Sequence, residues 1–127
     1  MTEPENVRIL YVEDDSGART LLRRMLRNEF AEIIMAENGL EGYEAFKLVR
    51  PDIVITDIQM PVMDGLEMIE KIYGECKEMP IIVTTAYDDE AHKSQKACIT
   101  MVKPIEKDLL VDAIRECLRK KSKGPSS

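Results

Sequence analysis

The sequence lacks the features that mark several large classes of protein. It has no apolar run approaching the roughly 18 residues that a membrane-spanning helix needs, so we expect no membrane association. Its beginning is acidic and carries no signal-peptide pattern, which favours a cytoplasmic protein. A net charge of −6 argues against a general nucleic-acid binder, because such proteins are usually basic.

Cysteine is scarce and irregularly placed. The cysteines Cys76, Cys98 and Cys117 are widely spaced and odd in number. Disulfide frameworks and zinc sites have paired or closer spacings, so we expect reduced thiols in a cytosolic protein. A redox-sensing role is the minor alternative.

What the sequence does contain is enough for one well-packed domain. Its 127 residues have the length of a single ordinary domain, and 44% of them are hydrophobic. We expect the domain to span residues 7–118, because the segment 119–127 is first basic and then small and polar. This last segment is predicted to be a flexible tail or a linker.

Apolar runs alternate with segments of helical periodicity along the chain. The predicted strands are Ile9–Val12, Ile33–Ala36, Ile53–Thr56, Ile81–Thr84 and a shorter fifth, Ile99–Val102. Helix-period segments separate them, and Asn38 is a suitable N-cap for the second helix. Because strands that alternate with helices form right-handed βαβ units, we expect an α/β fold with a parallel sheet covered on both faces.

Acidic residues follow two of these strands. Glu13 and Asp14 come directly after the first apolar run, and Asp57 follows the third, just ahead of a Pro/Asp/Gly turn. Ligands collect at the carboxyl edge of an open α/β sheet. Close carboxylates repel one another, and oxygen ligands suit a hard cation, so the three acids predict a site for Mg²⁺ or Mn²⁺.

A hydroxyl and an amine are expected at the same edge, since Thr85 and Lys103 follow the fourth and fifth strands. Both groups suit phosphate oxygens. A carboxylate beside them can carry phosphate as an aspartyl-phosphate, which makes Asp57 the candidate nucleophile. Each residue also has an ordinary explanation: acids cap helices, a threonine ends a strand, and a lysine lies on the surface.

Four motifs in this order resemble those of a response-regulator receiver domain of the chemotaxis-regulator type, the phosphoacceptor module of two-component signalling. The motifs are Tyr11–Asp15, Thr56–Gly65, Thr85-Ala86 and Lys103-Pro104. The resemblance implies a flavodoxin-like, doubly wound sheet of five strands in the order 2-1-3-4-5, with about five helices, the fourth shortened.

The resemblance also implies a role for each site residue. Asp57 would accept a phosphoryl group from the phosphohistidine of a histidine kinase or phosphotransfer domain, and Thr85 and Lys103 would bind phosphoryl oxygens. The implied metal ligands are Asp14, Asp57, the backbone carbonyl of Gln59 and, mainly through water, Glu13. Such a protein is a signalling phosphoacceptor rather than an enzyme, because it catalyses only its own phosphorylation and dephosphorylation.

Two features depart from the family pattern. The segment between Thr85 and Lys103 is short, which predicts a stub helix over Asp88–Lys96 as the most mobile part of the domain. Thr100 stands where many receivers have an aromatic residue that swings inward on phosphorylation, so we expect no aromatic switch. Tyr87 is placed to shield the phosphoryl group from water.

A row of arginines marks the first helix. Arg19, Arg23 and Arg27 recur every four residues and therefore share one face. Most such rows are solvated surface, but the resemblance implies that this helix docks on a histidine kinase.

Dimerisation is left open, and direct nucleic-acid binding is not expected. One alternative is an interaction module that works without phosphorylation; another is a phosphohydrolase, which Gln59 disfavours because an acid would be expected there. The hypothesis of a nucleotide-binding protein has little support, because no glycine-rich loop follows the first strand.

Overall fold

The computed structural model describes residues 3–86 and 96–123, and it contains a five-stranded parallel sheet. The strands are β1 (Glu5–Val12), β2 (Phe30–Ala36), β3 (Ile53–Asp57), β4 (Ile81–Thr85) and β5 (Ile99–Val102). They lie in the order β2-β1-β3-β4-β5, and each neighbouring pair is parallel. The predicted α/β fold and its strand order are confirmed.

Four helices accompany the strands in the described residues. They are α1 (Ser16–Leu26), α2 (Gly39–Val49), α3 (Gly65–Glu75) and α4 (Lys107–Lys123). The family resemblance implied about five helices; the expected stub over Asp88–Lys96 falls almost wholly on residues 87–95, outside the described part of the chain. Helix α4 continues past residue 118, so part of the predicted tail is helical. None of the described helices has the length and hydropathy needed to span a membrane.

Polar side chains cap the first three helices. The cap bonds run from the amide of Ala18 to Asp15 at 2.7 Å, from Glu41 to Asn38 at 2.9 Å and from Glu67 to Asp64 at 2.9 Å. The Asn38 cap was predicted, and caps of this kind contribute about 1 kcal/mol each. Because the caps of α1 and α3 follow the acidic ends of β1 and β3, they also fix the two loops in which the acids lie.

Both faces of the sheet are covered, as the sequence predicted. Helices α1 and α4 cover one face and bury Leu22, Leu26, Leu110 and Ile114 there. Helices α2 and α3 cover the other and bury Phe46, Met68, Ile69 and Ile72. The strands supply alternate residues to the two cores, because successive side chains of a strand point to opposite faces.

Strands β1 and β2 begin before their apolar runs. Strand β1 starts at Glu5 rather than at Ile9, and β2 starts at Phe30 rather than at Ile33. The first residues of β1 are exposed, yet the amide of Glu5 donates to the carbonyl of Glu29 at 2.9 Å. Backbone hydrogen bonding therefore extends the strands past the residues that burial selects, and hydrophobic periodicity does not reveal that boundary.

Cys98 and Cys117 form a disulfide, so the prediction of reduced thiols is wrong for this pair. Cys98 immediately precedes β5, Cys117 lies on the sheet-facing side of α4, and their Cα atoms are 6.2 Å apart. The 19-residue separation along the chain closes in space because α4 packs against the sheet and both cysteines belong to the core between them. Cys76, which is half-buried just after α3, is a free thiol.

Candidate functional site

The carboxyl ends of β1, β3 and β5 bring four charged side chains together. One carboxylate oxygen from each of Glu13, Asp14 and Asp57 lies within 4.8 Å of the other two. The Lys103 ammonium lies 3.0 Å from Oε1 of Glu13 and 3.4 Å from Oδ2 of Asp57. The structure therefore joins the four charged residues that the sequence placed at this edge of the sheet.

Glu13 is the most enclosed of the three acids, with 1% of the residue exposed. Its Oε1 accepts hydrogen bonds from the Tyr11 hydroxyl at 3.2 Å and from Lys103, and its Oε2 accepts from the amide of Asp15 at 3.2 Å. A buried carboxylate needs a paired charge and hydrogen bonds, and Glu13 has both. It is a fixed acid at the base of the site, whereas Asp14 beside it is exposed.

Asp57 ends β3 with 14% of its side chain exposed. Its Oδ1 accepts from the amide of Ile58 at 2.8 Å, and its Oδ2 faces Lys103. Gly65, the first residue of α3, lies directly over this strand end, and a Cβ atom there would collide with the carbonyl of Asp57. Glycine is required at this position because only a residue without a side chain lets α3 approach Asp57 so closely.

The loop between β3 and α3 contains a γ-turn. Val62 has a φ of 68°, and the amide of Met63 donates to the carbonyl of Pro61 at 2.7 Å. A β-branched residue in this conformation is strained. Met63 is nevertheless buried in the core, and its carbonyl accepts from the amide of Gly39 at 2.9 Å. The hydrogen bond from Gly39, at the start of α2, therefore helps to hold the strained turn that follows Asp57.

Thr85 lies at the end of β4 and is 1% exposed. Its carbonyl accepts from the amide of Lys103 at 2.7 Å, which holds the end of β5 against β4. Directly across from Asp57 is Thr84, whose hydroxyl donates to the carbonyl of Thr56 at 3.5 Å. Thr85 consequently lies one residue beyond the level of Asp57, toward the carboxyl edge at which its hydroxyl was expected.

The concentration of negative charge shifts several pKa values. Partial desolvation, followed by the hydrogen bond and charge of Glu13, raises the pKa of Asp14 above its ordinary 3.8. Burial alone would lower the pKa of Lys103, but its ion pairs with Glu13 and Asp57 outweigh burial and raise the pKa above 10.5. Burial and then the charge of Glu13 raise the pKa of Tyr11. Glu13 thus contributes to all three shifts.

Arg19 contacts the main chain of the site, which the sequence pattern did not predict. Its Nη1 donates to the carbonyl of Glu13 at 2.7 Å, and its Nη2 lies 3.4 Å from Glu37. The Arg19 side chain is 18% exposed, whereas Arg23 and Arg27 belong to the exposed surface. The arginine row therefore contains one residue that supports the loop after β1 and two that are exposed on the surface of α1.

Of three further residues with a predicted role, two lie in the described part of the chain and one does not. Gln59 is exposed in the loop after Asp57. Thr100 lies within β5, paired with Val83. Tyr87 lies outside the described residues.

Known proteins of one family resemble this chain in sequence over almost its whole length. Residues 9–119 match the family model of the response regulator receiver domain. The chain belongs to this family. Sporulation initiation phosphotransferase F of Bacillus subtilis is 31% identical over 121 residues, which cover 92% of this chain and 98% of that protein. The transcriptional regulatory protein GlrR of Escherichia coli is 34% identical over 114 residues, which cover 87% of this chain.

Solved structures share the architecture of this receiver domain. The response regulator TrrA of Thermotoga maritima, in complex with Mg²⁺ and BeF, has a TM-score of 0.80 and 36% identity over 87% of this chain and 98% of that chain. A CheY-like receiver domain protein of Methanospirillum hungatei has a TM-score of 0.87 and 26% identity over 94% of this chain and 98% of that one. The chain spans 26% of the length of GlrR but nearly all of phosphotransferase F.

Proposed function

We propose that this receiver domain accepts a phosphoryl group on Asp57 from the phosphohistidine of a histidine kinase or phosphotransfer domain, and relays the signal by a change in conformation. The position of Asp57 carries the proposal. Its carboxylate lies 3.4 Å from the Lys103 ammonium and within 4.8 Å of oxygens from Glu13 and Asp14. Partial exposure leaves it open to a phosphodonor, while the buried Glu13 fixes the base of the site.

Each residue has its own part in the proposed transfer. A carboxylate oxygen of Asp57 attacks the phosphorus atom, the P–N bond breaks, and the imidazole leaves. Lys103 and Thr85 then donate hydrogen bonds to phosphoryl oxygens, with the phosphoryl group replacing a carboxylate as a partner of the ammonium. Because the pKa of Lys103 is raised, its positive charge is present throughout the neutral range.

The acid cluster suits Mg²⁺, or Mn²⁺ in its place. Mg²⁺ binds oxygen ligands and usually keeps several of its waters. Asp14, Asp57 and the carbonyl of Gln59 would hold the ion directly. Glu13 would act mainly through water, since its carboxylate already accepts hydrogen bonds from Tyr11, Asp15 and Lys103. When bound, the cation neutralises charge on the group being transferred. The similarity to TrrA, solved with Mg²⁺ and BeF, supports this assignment.

The phosphodonor is proposed to dock near α1. A groove of about 470 Å³ lies beside Lys103, between α1 and the loop that follows β5. Its apolar lining includes Leu21, Leu22, Met25, Pro104 and Ile105. Leu21 is 54% exposed, and Arg23 and Arg27 are exposed on the same helix. Lys103 gives this apolar groove a cationic edge, which fits an amphipathic helix that carries acidic residues at its own edge, whereas Arg23 and Arg27 lie outside the groove lining.

Labelling with acetyl phosphate tests the proposal. In the presence of Mg²⁺, the intact mass of the wild type is expected to increase by one phosphoryl group. Asp57→Asn keeps the side-chain volume but removes the nucleophile, so its mass should not change. Asp112→Asn, an exposed carboxylate on α4, is the matched control and should label like the wild type. Undiminished labelling of Asp57→Asn would overturn the proposal by placing the phosphoryl group on another residue. An unlabelled wild type would overturn it in favour of a module that works without phosphorylation.

A further inference from the structure

The disulfide between Cys98 and Cys117 lies at the opposite end of β5 from the phosphoryl site. Cys98 precedes β5, and Lys103 follows it, so roughly 16 Å of extended strand separates the bond from the acid cluster, at about 3.3 Å per residue. Cys117 lies well inside α4. The bond therefore closes a loop that contains β5, Lys103 and the first turns of α4, without touching the site itself.

Without this bond, noncovalent contacts alone hold α4 in place. The helix buries Leu110, Ile114 and Cys117 against the sheet. On its outer side Arg115 lies 2.7 Å from Glu5 and 3.3 Å from Glu29, but each of these side chains is between 30% and 45% exposed. Exposed ion pairs of this kind contribute little to stability. A covalent tether between α4 and β5 is therefore a large addition to the anchoring of the helix.

The two cysteines of the bond differ in burial. Cys98 is half-buried, whereas Cys117 is 1% exposed and packed in the core. An external thiol is therefore expected to attack at Cys98 rather than at Cys117. If the bond opens, Cys117 becomes a thiol in apolar surroundings, where a free cysteine behaves as a small hydrophobic side chain. The core can therefore accommodate both oxidation states.

We propose that Cys98 and Cys117 form a reversible thiol–disulfide site, which tethers α4 to β5 when oxidised and releases the helix when reduced by a dithiol. One thiolate of the dithiol attacks Sγ of Cys98, the S–S bond breaks, and Cys117 leaves and takes up a proton. The second thiolate of the reagent attacks the resulting mixed disulfide, so the reagent closes into its own disulfide and Cys98 leaves as a thiol. Two electrons and two protons pass to the protein, and oxidised glutathione reverses the exchange.

Reduction is expected to loosen α4 while leaving the acid cluster assembled. In the chain-entropy model, closing a loop of about 20 residues lowers the population of the unfolded chain by roughly a few hundredfold, which sets the upper limit for the opening of α4 alone. The hydrogen bond from the amide of Lys103 to the carbonyl of Thr85, at 2.7 Å, holds the end of β5 in either state. The inference goes beyond the proposed phosphoacceptor role, and its test needs no phosphorylation.

Thiol alkylation and hydrogen exchange test the site in the intact chain. After treatment with oxidised glutathione, Cys76 should be the one cysteine that alkylates in the native protein; after dithiothreitol, Cys98 should alkylate as well. Amide exchange in α4 should be faster in the reduced form, by up to roughly a few hundredfold. Exchange in α2, on the other face of the sheet, should not change. Cys76→Ser, which removes the free thiol, should retain the whole response.

Two separate substitutions keep the test decisive if one variant folds poorly. Cys98→Ala and Cys117→Ser each remove one sulfur, so either should show the fast α4 exchange of the reduced wild type under both conditions. The proposal is overturned if Cys98 alkylates equally after oxidised glutathione and after dithiothreitol. It is also overturned if the bond forms but α4 exchanges at the same rate in the two states.

Discussion

The ammonium group of Lys103 lies 3.0 Å from Oε1 of Glu13, a residue that is only 1% exposed. The pair joins positions 90 residues apart and links the ends of β5 and β1 across the two strands that lie between them. Lys103 is therefore a structural counter-ion as well as a proposed phosphate ligand. Removing it would leave a buried carboxylate unpaired, which is the costly outcome when one partner of a buried ion pair is lost.

We expect Lys103→Met to lower the free energy of unfolding by about 1–3 kcal/mol without divalent cations, less than for a fully buried pair because the lysine side chain is 31% exposed. Mg²⁺ should restore more stability to the variant than to the wild type. Denaturant titration with and without Mg²⁺ measures both effects. Lys107→Met, which removes an exposed ammonium 3.6 Å from Glu29, is the control. Equal losses in the two variants would show that Glu13 does not depend on Lys103.

The raised pKa of Asp14 should be visible in the pH dependence of stability. Its folded pKa is raised above 3.8, first by partial desolvation and then by Glu13, so the native state takes up this proton more readily than the unfolded state. Stability therefore falls as pH rises from 3.8 through the raised value. Without divalent cations, Asp14→Asn should be more stable than the wild type at neutral pH, and the difference should vanish below 3.8.

Denaturation at a series of pH values provides this measurement. Asp112→Asn, remote from the cluster, should show no such pH-dependent difference from the wild type. If Asp14→Asn is instead less stable than the wild type at neutral pH, the Asp14 carboxylate is favourably placed and the charge excess assigned to the cluster is wrong.

Mg²⁺ should stabilise the native state through Asp14 and Asp57. A cation at a hundred times its Kd adds about 2.7 kcal/mol to the free energy of unfolding. Asp14→Ala should remove most of the Mg²⁺-dependent rise in Tm. Asp15→Asn is the matched control, because asparagine also caps a helix and the Asp15 side chain serves α1. A full rise in Asp14→Ala would place the cation elsewhere.

Periodicity predicted most of the elements of this fold. The five strands were located because strands buried on both faces are continuous apolar runs, and the Asn38 cap was found because capping is a local interaction. The order of the strands came from family resemblance, since no local pattern encodes which strands are neighbours. The ends of β1 and β2 were missed because they are set by backbone hydrogen bonds at exposed residues.

The residues of the site were predictable, but their contacts were not. Asp57, Thr85 and Lys103 could be named because the ends of parallel strands meet at one edge of the sheet. The burial of Glu13 and the bond from Arg19 to its carbonyl depend on packing between segments that are distant in sequence. The disulfide was missed for the same reason: the spacing of cysteines along the chain gave no sign that β5 and α4 lie side by side.

Val62→Gly is expected to stabilise the protein by about 1 kcal/mol. The substitution removes the strain of a β-branched residue at a φ of 68°, and this gain exceeds the larger conformational freedom of glycine in the unfolded chain. Few contacts are lost, since Val62 is 76% exposed. Val62→Ala keeps a Cβ atom at the same φ and should gain less. Denaturant titration measures the free energy of unfolding of the wild type and both variants. A loss of stability in Val62→Gly would show that the valine is held by favourable contacts.

The location of the phosphoryl group tests the central claim most directly. After reaction of the wild type with acetyl phosphate and Mg²⁺, borohydride converts an aspartyl phosphate into homoserine, and peptide mass spectrometry identifies the position. The account predicts homoserine in place of Asp57 and unmodified aspartate at Asp14 and Asp15. Homoserine in place of Asp14 or Asp15, or a phosphorylated chain in which Asp57 is intact, would contradict it.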